Sequence, residues 1–236
     1  MWLLHETHQV VGAREEEFEG LVRDEWMPRL AEVGGARLLT FLRHAHGTGP
    51  SYRVVTLTAV DGAPGYGRLV AAVDGGALAG WSEQLDALRH DVVGKALVPL
   101  PWSPLQRVDL ERVPARPQDH ERSVFMEDTV WPREGLLERY VEASGSHYAG
   151  EMAERERERS AILRIEGAFR TLFASGRRRE VVLWQRIVNL EALGALVSSE
   201  VPKRFSAPGT WMHDALALRD QWESRLLRSA RWSPLY

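Results

Sequence analysis

Apolar and polar residues along the chain follow two periods, and the switches between them set out its elements. Residues 2–10 read as a strand, and 14–32 place Phe18, Leu21, Val22 and Leu30 on one side of a helix that Gly34-Gly35 then stops. Two strand-like runs follow at 36–46 and 51–60, split by the turn-forming Gly47-Thr48-Gly49-Pro50. A second helical region reaches Val93, Gly94 ends it, and a short strand leads into Trp102. The predicted order is βαββαβ, the ferredoxin-like unit with an antiparallel sheet and both helices on one face. From Val124 the order returns: strand to Val130, helix 133–156, strands 160–173 and 179–188 around a turn near Gly176, a helical region 190–228 and a last strand 229–232.

The return is a duplication. Trp102-Ser103-Pro104-Leu105 recurs as Trp232-Ser233-Pro234-Leu235, and Trp81 and Trp211 stand equally far upstream. Between those limits Ala87, Leu88, Arg89 and Leu97 match Ala217, Leu218, Arg219 and Leu227, nine identities in 25 ungapped positions. The halves are predicted at 1–106 and 122–236, joined by a linker at 107–121 that holds Pro114 and Pro117. An insertion with Pro202 and Ala207-Pro208-Gly209 breaks the last helical region and is a candidate lid or wall. The fold class is α+β: two fused ferredoxin-like units whose bare sheet faces pack together as a pseudo-symmetric barrel around a space.

Several stretches resemble NIPSNAP proteins, a branch of the dimeric α/β-barrel superfamily. They are the first strand followed by Arg14 to Phe18, the helix end Glu25-Trp26-Met27-Pro28, the strand entry Gly34-Gly35-Ala36-Arg37-Leu38, and above all the two Trp-Ser-Pro-Leu segments. The resemblance implies a fold and a cavity more than a reaction. The superfamily holds antibiotic-biosynthesis monooxygenases, cyclases, isomerases, haem enzymes related to chlorite dismutase, and stress-response proteins.

Composition narrows the partners. A net charge of −3 offers no basic field for nucleic acid, and Arg177-Arg178-Arg179 reads as a solvated turn. The absence of Cys removes disulfides, thiolate nucleophiles and Cys-held metals. Met1-Trp2-Leu3-Leu4 meets His5 and Glu6 without a basic or extended apolar signal region, and no apolar run is long enough for a bilayer. The expectation is a cytoplasmic protein, monomer or homodimer, with a small-molecule substrate and neither nucleic acid nor membrane as partner. No phosphate-binding glycine loop or Gly-x-Ser-x-Gly elbow occurs. His44-Ala45-His46 has the spacing of two metal ligands but lacks a third.

Alternation on the third strand of each half selects the residues expected to face the space between the sheets. The mixed sets put Thr56, Thr58, Trp184 and Arg186 there, with Trp131 at a strand end. Aligning His5-Glu6-Thr7-His8 with Met126-Glu127-Asp128-Thr129 makes Glu6 and Glu127 equivalent carboxylates whose burial would suit a general base, with His8 as partner. Arg186, Thr56 and Thr58 would hold substrate oxygens. The reaction expected is a cofactor-independent isomerisation or cyclisation of a largely apolar, polyketide-like or aromatic molecule by proton transfer. The alternatives are a haem enzyme with His213 as axial ligand, and a non-catalytic binding or stress-interaction protein.

Overall fold

The computed structural model describes residues 1–173, 178–198 and 207–235, without the side chains of 195–198. The turn at Gly176, Arg177 and the part of the insertion that holds Pro202 lie outside the described residues. Each half has the expected order. The first contains β1 (Trp2–Val10), α1 (Glu15–Leu21), a π-helical segment (Val22–Trp26), α2 (Met27–Glu32), β2 (Ala36–His44), β3 (Arg53–Val60), α3 (Gly62–Val73), α4 (Ala79–Asp86) and β4 (Arg89–Pro99). The second contains β5 (Val124–Pro132), α5 (Leu137–Ala143), a π-helical segment (Ser144–Tyr148), α6 (Ala149–Arg157), β6 (Leu163–Thr171), β7 (Val181–Ile187), α7 (Leu190–Ser198), α8 (Trp211–Asp214) and β8 (Arg219–Ser229).

The predicted strands β1, β2, β3 and β5 to β7 lie where periodicity put them, but the last strand of each half does not. The helical region expected to reach Val93 stops at Asp86, and the one expected to reach residue 228 gives way to β8 at Arg219. His90 to Gly94 and Asp220 to Ser224 are all exposed. A strand wet on both faces shows no alternation, so these segments carried no strand signature.

Chain contacts divide the molecule into two compact units that do not coincide with the sequence halves. One comprises Met1–Val98, Arg107–Ser123 and Leu226–Tyr236, the other Pro99–Gln106 and Val124–Arg225. In the first unit the antiparallel order is β4, β1, β3, β2, with the end of β8 pairing Leu42, Arg43 and His44. The stretch read as a linker packs here: Val113 is buried and the His120 side chain bonds the Ser233 carbonyl oxygen. The core of this unit joins Val10, Phe18, Met27, Leu30, Phe41, Val54 and Trp232 beneath α1 to α4. In the second unit β7 lies between β5 and β6, and the core gathers Val130, Tyr140, Val181, Leu183 and Trp211.

Each Trp-Ser-Pro-Leu segment therefore sits in the unit built mainly from the other half, and its polar atoms explain the repeat. Strands β2 and β6 both carry an irregularity, between Leu38 and Thr40 and between Ile165 and Gly167. Just beyond it, the Phe41 N–H donates to Ser233 Oγ at 3.0 Å and the Ala168 N–H to Ser103 Oγ at 2.9 Å. A buried N–H left without an acceptor would cost about 1–3 kcal/mol. The Trp indoles tie down the helix above: Trp232 Nε1 donates to Glu19 Oε1 at 2.8 Å and Trp102 Nε1 to the Val141 carbonyl at 2.9 Å.

Candidate active site

The hydrogen bonds at the end of the first strand fix the true correspondence between the halves. The Val11 N–H bonds the Leu88 carbonyl and the Arg133 N–H bonds the Leu218 carbonyl, and Leu88 and Leu218 are a matched pair of the repeat. Glu6 therefore corresponds to Asp128, His5 to Glu127 and His8 to Val130, one position away from the alignment read off sequence. The irregularities of β2 and β6 match Thr58 to Gln185, and the ungapped repeat matches Gly94 to Ser224 and Val92 to Trp222. The two π-helical segments end on Trp26 and Tyr148.

In the first unit, Glu6, His8, Thr56 and Thr58 lie on the helix side of the sheet, since Leu4 and Val10 of the same β1 face and Val54 and Val60 of the same β3 face join the core beneath the helices. His8 stacks obliquely on Phe18 at 5.3 Å between ring centres. Arg89 Nη1 donates to His8 Nδ1 at 2.8 Å, and because a guanidinium can only donate, the ring proton is on Nε2 and goes to Thr56 Oγ1 at 2.9 Å. Burial, then the charge of Arg89, pushes His8 down to about 3. This histidine is neutral and both its nitrogens are taken, which corrects its expected role as acid or base. It orients Arg89, whose Nε and Nη2 also hold Asp86 at 2.9 and 2.5 Å.

Glu6 sits between Thr56 of β3 and Gly94 of β4. Its side chain is half-buried and makes no hydrogen bond among the described residues. Desolvation raises its pKa, with Arg89 acting in the opposite sense. A Cβ placed on Gly94 would meet only Glu6 Cγ, at 3.8 Å, so the carboxyl stands at the open side of its recess. The result is a carboxyl whose hold on a proton is strengthened, beside a guanidinium that keeps N–H donors to spare: His8 and Asp86 use three of its five.

The corresponding place in the second unit is filled. Tyr148 Oη donates to Gln185 Oε1, Gln185 Nε2 donates to Asp128 Oδ2 at 2.9 Å, and Ser224 Oγ donates to Asp128 Oδ1. Burial raises the Asp128 pKa, offset by hydrogen bonds from Ser224, Trp222 and Gln185. Burial likewise pushes the Tyr148 phenol up. Both Asp128 oxygens are occupied, so this carboxyl is a structural group.

The remaining predicted site residues lie elsewhere. Glu127, Trp131, Trp184 and Arg186 share the sheet face of the second unit opposite Asp128, where Phe125 stacks on Trp184 at 4.9 Å. Arg186 Nε pairs with Glu166 Oε1 at 2.9 Å, which uses its charge within the protein. The expectation that Thr56 and Thr58 share a cavity face with these residues fails because residues 54 to 60 are buried on both faces, and alternation then carries no information about which face meets the helices. Sequence reasoning passed over Asp128, Arg89 and the Tyr148–Gln185 pair. The one available signal was Arg89 and Arg219, identical in the repeat.

His213 is exposed and turns Nδ1 to Asp214 at 3.0 Å, and His8 has no free nitrogen. Among the described residues no three His, Asp or Glu side chains form a metal cluster, and no helix is long and apolar enough to cross a membrane.

No family model matches the chain, and no curated protein matches it. Solved structures do. A proposed monooxygenase from Lactobacillus acidophilus NCFM is 10% identical with a TM-score of 0.60, covering 98% of this chain and 96% of that one. An anthrone oxidase-like protein is 8% identical with a TM-score of 0.53, covering 97% and 91%. A NIPSNAP family protein from Agrobacterium tumefaciens, 19% identical, covers 44% of this chain and 97% of its own at a TM-score of 0.37. The chain has the α+β fold of the dimeric α/β-barrel class, built from ferredoxin-like units.

Proposed function

We propose that the first unit is the active site of a cofactor-independent enzyme in which Glu6 removes a proton from carbon beside the carbonyl of a small, largely apolar substrate. Arg89 takes up the charge that develops on the carbonyl oxygen, held in place by Asp86 and by the neutral His8. The observation that carries this reading is the Glu6 carboxyl itself: desolvated, without a hydrogen-bond partner among the described residues, and next to Gly94 rather than a side chain. The enolate so formed leads to isomerisation or cyclisation of a polyketide-like or aromatic molecule. The closing Trp-Ser-Pro-Leu segments support placing the chain beside NIPSNAP proteins within its superfamily. The solved neighbours with oxidase and monooxygenase names suggest a variant in which dioxygen traps the same carbanion.

Anthrone in deuterated water under argon tests the reading, since its ring CH2 exchanges only through the enolate. Wild-type protein is expected to accelerate exchange, with a rate that rises with pH to a plateau whose midpoint lies above the ordinary carboxyl value of 4.5. Glu6→Gln should lose about 10²–10⁴-fold. Equal rates for Glu6→Gln and wild type would remove Glu6 from the chemistry. No acceleration by wild type, on anthrone or on a set of 1,3-diketones, would favour a binding protein. Quinone formed only under air would place oxygenation after the proton transfer.

A further inference from the structure

A second feature of the first unit lies apart from Glu6. A cleft of about 460 Å³ is walled by Arg23, Arg43, Arg122 and Arg228 with Glu16 and Glu19, a volume within the range of small-ligand sites. Its internal pairings leave two guanidinium groups over. Glu19 is consumed, one oxygen on Arg43 at 2.5 Å and the other on the Trp232 indole at 2.8 Å. Arg23 forks onto Asp24 at 2.7 and 2.6 Å. Arg122 and Arg228 are exposed and enter no ion pair or side-chain hydrogen bond among the described residues, with Glu16 of the wall and Asp119 near Arg23 as the carboxylates left against them.

The duplication supplies an internal control. Arg23 corresponds to Gly145 of the second half and Arg228 to Val98, while Glu19 corresponds to Val141. Trp102 packs so closely on Gly145 that a Cβ there would lie 2.5 Å from its Cδ1. The scaffold is thus built without Arg23 and Arg228 in one copy, and their presence in the other is not a requirement of the fold. Two uncommitted guanidinium groups at one cleft suit the chemistry of a phosphoryl group, which accepts paired N–H bonds on several oxygens.

We propose that this cleft binds the phosphate group of a small phosphorylated molecule, with Arg122 and Arg228 as its direct ligands. The test is calorimetric titration of the full chain with inorganic pyrophosphate, with citrate as a carboxylate of similar charge. Saturable one-site binding is expected, tighter for pyrophosphate than citrate, and weakened at least tenfold in Arg122→Glu/Arg228→Glu. A charge-matched control, Arg139→Glu/Arg157→Glu, changes two exposed arginines outside the cleft and should bind as wild type does. Absence of saturable binding, equal weakening in the control, or preference for citrate would each overturn the assignment. Should the cleft double variant melt well below wild type, Arg228→Gln alone reads the same contact, with about threefold weakening expected and none overturning it.

Discussion

Two carboxyls occupy the same position in the duplicated fold and have opposite fates. Asp128 lies under a π-helical turn that ends in Tyr148, whose hydroxyl, through Gln185, completes a chain of donors, while Ser224 closes the other oxygen. Glu6 lies under the equivalent turn, but Trp26 brings no oxygen, Thr58 replaces the longer Gln185, and Gly94 stands in place of Ser224. Every partner that satisfies Asp128 is missing around Glu6. A desolvated polar group without hydrogen-bond partners is costly, and such groups concentrate at functional sites. The comparison also separates scaffold from chemistry: the Ser and Trp of the closing segments bond the same places in both units, whereas the carboxyl surroundings have diverged.

The largest effect that would sharpen the contrast concerns His8, which has Val130 as its counterpart. Burial, then the charge of Arg89, pushes His8 down from the ordinary 6.5 to about 3. Above pH 6.5 neither folded nor unfolded chain binds this proton and the stabilisation is complete. As pH falls from 6.5 towards 3 the unfolded chain takes up a proton that the native state refuses, so stability is lost, by about 2–5 kcal/mol in all. Glu6 and Asp128, whose pKa values are raised, work the other way and lose stability as pH rises above the ordinary carboxyl range. The difference between wild type and His8→Val isolates the histidine. Urea unfolding from pH 7 to 4 should show a steeper decline for wild type than for His8→Val, and parallel curves would mean that His8 is protonated in the native state.

Of intermediate size is the cost of breaking the satisfied network. Asp128→Ala strips an acceptor from Gln185 and Ser224, and should lower stability by about 1–3 kcal/mol in a urea titration while leaving anthrone exchange within about threefold of wild type. Exchange lost along with Asp128, in protein still folded, would move the proton-transfer site to the second unit and reverse the comparison.

Much of the architecture was legible in the sequence, and the reason is local. The repeat anchored by Trp81, Trp102, Trp211 and Trp232 ties the order of elements together, and β1 and α1 carry their own periodicities. The strands wet on both faces, β4 and β8, hide their extent, and those buried on both, β3 and β7, show their extent but hide which face meets the helices. With the facing of β3 unreadable, Thr56 and Thr58 were assigned to the wrong face. A single-position slip then matched Glu6 to Glu127 and hid Asp128. The slip was invisible because the first strands share no anchor residue, and only the bonds of Val11 to Leu88 and Arg133 to Leu218 supply one.

The smallest expected effect tests the comparison most directly, by making one recess resemble the other. Gly94 has no positive φ, and a Cβ there meets Glu6 Cγ at an ordinary 3.8 Å, so Gly94→Ser is accommodated without strain. Its hydroxyl would stand where Ser224 stands beside Asp128. A hydrogen bond to the ionised carboxylate favours the charged form, which lowers the Glu6 pKa and weakens it as a base. Exchange in Gly94→Ser should fall about tenfold at neutral pH, with the midpoint of its pH profile displaced downward, while stability holds or rises slightly. Since Glu6 and its neighbours are retained, a lost rate without a displaced midpoint would indicate that the serine blocks substrate. A rate and midpoint both unchanged would show that the empty side of Glu6, on which the contrast with Asp128 depends, has no bearing on its reactivity.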